Sequence, residues 1–232
     1  MSLATNTLNA QNTMKTTTPL DNKQKKLVTI SAFTARGDLI SLAKELNAGL
    51  DAGLTINQVQ EELVQLYAYC GFPRSLQGIN TFIQVLEERK SKRITDSPGR
   101  EASPLNDSLT RYQRGERTVA VLTNKPVDAP KAGPQAFAPR IDTFLKEHLF
   151  ADIFDNDILN YQEREIITIA ALISMEGVEP MAQSHIGNGL NVGLTISQIE
   201  GIIELIADSV DKEQAKTGTA LLKKVMGSRE EQ

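Results

Sequence analysis

Apolar residues along the chain fall into two helical patterns separated by a stretch that breaks them. In the first pattern, Leu27, Val28, Ile30, Ala32, Phe33 and Ala35 fit a largely buried helix over residues 25–36, although periodicity alone leaves a short strand open. Helical spacing continues over 39–50 and meets Gly53, a residue suited to the left-handed turn past a helix end. Thr55 and Gln58 then match a Thr-x-x-Gln capping box, which predicts a helix running to about Tyr69. Past Pro73, Leu76, Ile79, Phe82, Ile83 and Leu86 predict the apolar face of a further helix, whose end "EERKSKR" reads as solvated. From 94 to 140 the pattern fails, with Pro98, Pro104, Pro126, Pro130, Pro134 and Pro139 interrupting any long element. Within it, "LNDSLTRYQRGERTVAVL" predicts one short helix, lying on the surface or over a cleft. Helical periodicity resumes at "YQEREIITIAALISMEG".

The two patterns are copies. "GLDAGLTINQ" begins at Gly49 and "GLNVGLTISQ" at Gly189, and the match extends without a gap back to Gly37 and Gly177. Further upstream "KKLVTI" aligns with "REIITI" if the second copy carries one inserted residue. In each copy glycine stops one helix and threonine starts the next, so the repeated decapeptide is structural. The expected fold class is all-α: two similar helical units that bury each other's apolar faces as a pseudo-twofold intrachain dimer. The layout reads as a polar, disordered tail over 1–22, a first unit over 23–93, a Pro-rich linker with a possible short helix over 94–140, and a second unit over 141–232.

Composition narrows the partners. With 25 basic against 29 acidic residues, no tryptophan and few aromatics, the chain is poorly supplied for phosphate binding or base stacking, so nucleic acid is not expected as a partner. No apolar run approaches the roughly 20 residues that span a bilayer, so no membrane partner is expected either. The opening residues lack the apolar core of a secretory signal, which fits a cytoplasmic protein or, with a leader removed ahead of this start, a periplasmic or secreted one. A single cysteine, Cys70, permits no intrachain disulfide and no two-cysteine redox centre.

Two segments carry a family resemblance. "EREIITIAALISMEGVEPMAQSHIGNGLNVGLT" and "QVQEELVQLYAYCGFPRSLQGINTF" resemble the halves of the carboxymuconolactone decarboxylase pattern, whose family also includes alkylhydroperoxidase D-like proteins. That pattern is an acidic residue before a buried helix, a histidine on the next helix, Gly-x-Thr, and a Tyr-x-Gly-x-Pro segment. The resemblance covers about residues 23–89 and 160–226. It implies an all-α fold built on a helical hairpin, with single-unit members forming trimers or hexamers, and so a homotrimer of pseudo-dimers here. The peroxidase branch places a Cys-x-x-Cys pair where this chain reads "VEPM" and "DLIS", so peroxide reduction through a dithiol is disfavoured. The thiol-free decarboxylase branch fits better, and a non-catalytic binding or scaffold role is the remaining alternative.

Residue by residue, the family histidine falls on His185 and on Glu45 of the first copy, and the family acid falls on Glu165 and on Lys26. Conversely, Glu61, Tyr69 and Cys70 belong to the first copy, where the second has Gly201 and "ADSVDKE". This complementary divergence predicts one composite site per chain. His185, Glu165 and Glu61 are its expected catalytic groups, and Arg164, Tyr69 and Cys70 its expected substrate contacts. The expected substrate is a small anionic ring compound, since decarboxylation or isomerisation needs a near-neutral proton donor, which histidine supplies. No cofactor is expected, and no metal, because the only other histidine, His148, lies in a separate segment.

Overall fold

The computed structural model describes residues 19–105 and 107–230 and holds ten α-helices among them, with no strand. The first unit consists of α1 (Asn22–Arg36), α2 (Leu39–Asp51) and α3 (Ile56–Ser91). The second consists of α7 (Tyr161–Ile173), α8 (Glu179–Asn191), α9 (Ile196–Ser209) and α10 (Lys212–Glu230). Between them come α4 (Arg111–Thr123), the short helices α5 (Gly133–Phe137) and α6 (Pro139–Phe144), and a π-helical segment, Leu145–Ile153. Most of the expected tail, residues 1–18, lies outside the described residues. Its last part is ordered: Leu20 is buried, and Asp21 caps α1 by accepting from the Gln24 amide.

The duplication governs local structure. Thr55 with Gln58 and Thr195 with Gln198 form the same two-way capping box at the starts of α3 and α9. Gly53 and Gly193 precede them at φ values of 91° and 97°, a conformation costly for any residue with a Cβ. The long helix α3 is two arms, because Gly71 breaks it at φ 81° and ψ 158° ahead of Pro73. In the second unit the same break falls at Val210, so α9 and α10 correspond to the two arms of α3.

Helices α1 and α7 pack against each other at the centre of the molecule, and each also packs on its own unit. That double burial explains their all-round apolar character: on α7 every residue from Arg164 to Ile173 is buried, and on α1 every residue from Leu27 to Ala35. The pairing is crossed, since α3 of the first unit also packs on α7, and α9 of the second on α1.

Three side chains on α3 depart from the sequence expectation. Leu76 and Ile83 are about half exposed, at 53% and 48%, whereas Phe82 is buried. Within "EERKSKR", Arg89 is not solvated; it is buried and pairs with Asp96 at 2.8 Å and Asp51 at 2.9 Å. This pairing turns the chain back, so that the carbonyls of Ser97 and Pro98 accept the amides of Ile56 and Asn57 at the start of α3. The stretch after α3 is therefore tied down from its first residues.

Helix α4 crosses the π-helical segment at very short range, with Gly115 at the crossing. A Cβ added there would lie 1.8 Å from the Lys146 carbonyl oxygen, a backbone atom that cannot move aside alone. Gly115→Ala is expected to push α4 off this segment, costing about 1–3 kcal/mol or more. Faster proteolysis within residues 94–140 and a lowered Tm would register the change.

Glu62 is fully buried, which rules out a solvated helix surface for it. Ser31 Oγ donates to its Oε1 at 2.7 Å, while its Oε2 has no partner among the described residues. Burial raises its carboxyl well above the usual range, with the Ser31 hydrogen bond opposing weakly. A raised folded-state pKa favours folding below the unfolded-state value and loses that contribution as pH climbs toward the folded one. Replacing Glu62 by Gln removes this titration. The stability of Glu62→Gln relative to the parent should therefore rise between about pH 5 and about pH 8, as read by urea unfolding at both pH values.

Candidate active site

Helix α7 begins with Asn160 as N-cap and turns two consecutive side chains, Arg164 and Glu165, into the interior. Helix α8 runs antiparallel enough to α7 to bring His185 beside Glu165, with Nδ1 and Oε2 at 2.8 Å. Glu165 is fully buried and its second oxygen, Oε1, has no hydrogen-bond partner among the described residues; His185 keeps 11% of its side chain exposed. Glu165 thus fixes one ring nitrogen and leaves Nε2 unclaimed by any hydrogen bond among the described residues.

The equivalent place in the first unit carries the same pair with charges exchanged. Lys26 and Glu45 stand 2.9 Å apart, where the second unit has Glu165 and His185. Only one of the two places holds an imidazole.

From the first unit, α3 presents Glu61, Gln65 and Tyr69 at four-residue intervals, one stripe facing α7. Arg164 donates to Gln65 Oε1 at 2.9 Å, to the Asn156 carbonyl at 2.7 Å and to Glu61 Oε2 at 3.3 Å. Gln65 in turn donates to the Arg164 carbonyl and to Thr168 Oγ1, both at 2.9 Å. The Tyr69 ring meets His185 edge-on, with centroids 5.4 Å apart and planes at 85°. Its hydroxyl is buried near Thr168 and Glu165 without a well-formed hydrogen bond among the described residues, and burial followed by the Glu165 charge raises it above the usual phenol range. It stays protonated.

A cavity of about 520 Å³ opens against this assembly. His185 and Tyr69 line it, with Leu172 from α7 and Met181 from α8. Much of its remaining wall comes from the stretch between the units: Val119 and Thr123 of α4, Gln135 of α5, Asp142 of α6, and Lys146, Leu149 and Phe150 of the π-helical segment. The cavity beside His185 is thus walled in part by residues that precede the helices of the second unit.

The expected site residues divide accordingly. His185 and Tyr69 face the cavity, and Glu165 stands behind His185. Arg164 does not face it: its guanidinium is wholly buried, and burial pulls its basicity down while the Glu61 charge opposes that. Its two terminal nitrogens serve Glu61, Gln65 and Asn156, which makes it a strut between the units. Glu61 is bound to that strut. Cys70 is also absent from the cavity lining; its thiol donates to the Leu66 carbonyl at 3.1 Å, and burial pushes it up to about 11. Gln65 was not singled out by sequence, although its four-residue spacing from Glu61 and Tyr69 was a readable signal.

His148 is half exposed and pairs with Asp152 at 3.1 Å. Among the described residues, no cluster of His, Cys, Asp and Glu is arranged to hold a metal ion, and no helix is long and apolar enough to cross a membrane.

Comparison with curated proteins yields no match to this chain. The sequence model of the Carboxymuconolactone decarboxylase family matches residues 3–82 and 139–224, one match on each helical unit. Two matches covering most of the chain, on units related by the same helix order and the same capping boxes, mean that the chain belongs to the carboxymuconolactone decarboxylase family.

Proposed function

We propose that the chain is an acid–base enzyme acting on a small anionic ring compound, as a decarboxylase or a related isomerase, with one working site per chain. The observation that carries this reading is the His185–Glu165 pair, with one imidazole nitrogen fixed by a buried carboxylate and the ring lining a 520 Å³ cavity. In decarboxylation of an unsaturated carboxylactone, the bond from ring carbon to carboxyl carbon breaks and carbon dioxide leaves. Its electron pair passes into the conjugated carbonyl, and a proton then adds to carbon. His185 supplies that proton from Nε2, while Glu165 stabilises the cationic ring beforehand and holds its orientation. In isomerisation the same nitrogen removes a proton from one carbon and returns it to another.

Tyr69 shields the pair from the α3 side, and Arg164 with Glu61 and Gln65 holds α3 and α7 in register. Glu61 accordingly acts through Arg164 rather than on substrate. The assembly we propose is a homotrimer of these pseudo-dimers, supported by the apolar residues Phe72, Leu76 and Ile83 exposed along the second arm of α3. Sedimentation equilibrium of the purified chain tests the trimer. The reaction is tested by carbon-dioxide release from 4-carboxymuconolactone: turnover supports the decarboxylase reading, and its absence at high enzyme concentration removes that substrate.

A further inference from the structure

Most polar groups around the cavity are already engaged. Lys146, the one lysine or arginine among the described lining residues, lies 2.9 Å from Tyr112 Oη, 3.1 Å from Glu116 and 3.3 Å from Asp142. Asp142 also takes Lys131 at 2.6 Å and the Tyr112 hydroxyl at 2.7 Å. Two lysines therefore meet two carboxylates, and the cluster offers a ligand no uncompensated charge. Ser184 donates to the Pro180 carbonyl at 3.0 Å and Thr123 to the Val119 carbonyl at 2.8 Å.

Asn188 and Gln135 differ from these in making no hydrogen bond among the described residues, and Asn188 is the one carried on the same helix as His185. It lines the cavity one helical turn past His185, on the same face of α8, and among the described residues its carboxamide makes no hydrogen bond. Asparagine is a poor helix former, so an unengaged one inside a helix has a cost without a local return. The other asparagines of the corresponding helices are engaged: Asn191 donates to the Leu122 carbonyl at 2.9 Å, and Asn47 to the Ala43 carbonyl at 3.0 Å. At the position equivalent to Asn188 the first unit has Ala48, a strong helix former, alongside Glu45 in place of histidine. The carboxamide thus occurs in the copy that holds the histidine and the cavity.

We infer that Asn188 is the specificity-determining residue of this cavity, donating its amide N–H to a carbonyl or carboxylate oxygen of a small ligand with an apolar body. Leu149, Phe150, Leu172 and Met181 receive that body, and the hydrogen bond holds it against His185. With Lys146 and Arg164 both committed to protein partners, a neutral amide takes the place of a cation in selecting the oxygen. The chemistry that follows rests on the acid–base reading of His185; recognition of the ligand does not.

The test is a ligand-observed NMR titration of the full chain with benzoate and with toluene, its counterpart without oxygen. Asn188→Leu is expected to weaken benzoate at least about tenfold while leaving toluene within about twofold. Asn188→Asp is expected to weaken benzoate further by placing like charges together, and Asn188→Gln to retain part of the affinity. Thermal unfolding of each variant checks the fold, and the Asp and Gln variants carry the comparison if the Leu variant does not fold. Benzoate affinities unchanged within about twofold across the variants, or no saturable benzoate binding to the parent, would overturn the inference. A chain that discriminates benzoate through Asn188 but releases no carbon dioxide from 4-carboxymuconolactone would refute the decarboxylase reading alone.

Discussion

His185→Ala is expected to lower turnover by roughly a hundredfold to ten-thousandfold while leaving the fold intact, the range over which a positioned acid–base group contributes. The side chain stands at the cavity wall, and its one hydrogen bond, to Glu165, is on the side away from the unclaimed nitrogen. Truncating it removes the proton carrier and leaves Glu165 buried without a partner, so some loss of stability accompanies the loss of activity. Glu165→Gln separates the two effects. It keeps the side chain's size and a hydrogen bond to Nδ1 but withdraws the carboxylate that holds the ring. Its kcat should fall more than its KM rises, because the variant disturbs the histidine's tautomer and orientation rather than substrate contact. Equal kcat in the parent and both variants would remove the pair from the chemistry.

The second large effect is on stability. Arg164→Met is expected to cost about 3 kcal/mol, or roughly 10 °C in Tm, because it removes one partner of a buried ion pair and strips hydrogen bonds from Gln65 and Asn156. Glu61 keeps 19% of its side chain exposed, which lets water relieve part of the cost and places the estimate at the low end for such pairs. Adding Glu61→Gln to the same chain should recover part of the loss. The loss should also exceed that of Lys26→Met, because the Lys26 and Glu45 side chains are 28% and 23% exposed and their pair lies within one unit. Comparable costs for the two would mean that Arg164 does not brace the units.

Much of the fold is readable in the sequence because its signals are local. The capping boxes at Thr55 and Thr195 and the glycines before them depend on residues within a few positions, and the structure forms both. The neighbourhood of Glu165 and His185 is also legible, since an acid and a histidine at repeated positions of adjacent helices face each other in either copy, as Lys26 and Glu45 do.

What was not legible depends on distant partners. Arg164 looks like a free cation until Glu61 and Gln65, about a hundred positions earlier, are packed against it. Arg89 sits in a basic run that reads as solvated, and only the return of the chain to Asp96 buries it. Val119, Thr123 and Gln135 of the cavity wall come from the proline-rich stretch, where a short helix is readable but Gly115 gives no hint that it marks a helix crossing. Asn188 carried no motif; its distinction is a missing hydrogen bond, which a sequence cannot display.

The central claim is that a buried Glu165 holds His185 with one nitrogen free to carry the proton. Its most direct test is the nitrogen-15 spectrum of His185 at neutral pH in the parent and in Glu165→Gln. The account predicts that the neutral ring of the parent carries its proton on Nδ1 with Nε2 bare, and that this preference weakens in the variant. A neutral parent ring protonated on Nε2, or tautomers identical in the two proteins, would contradict it.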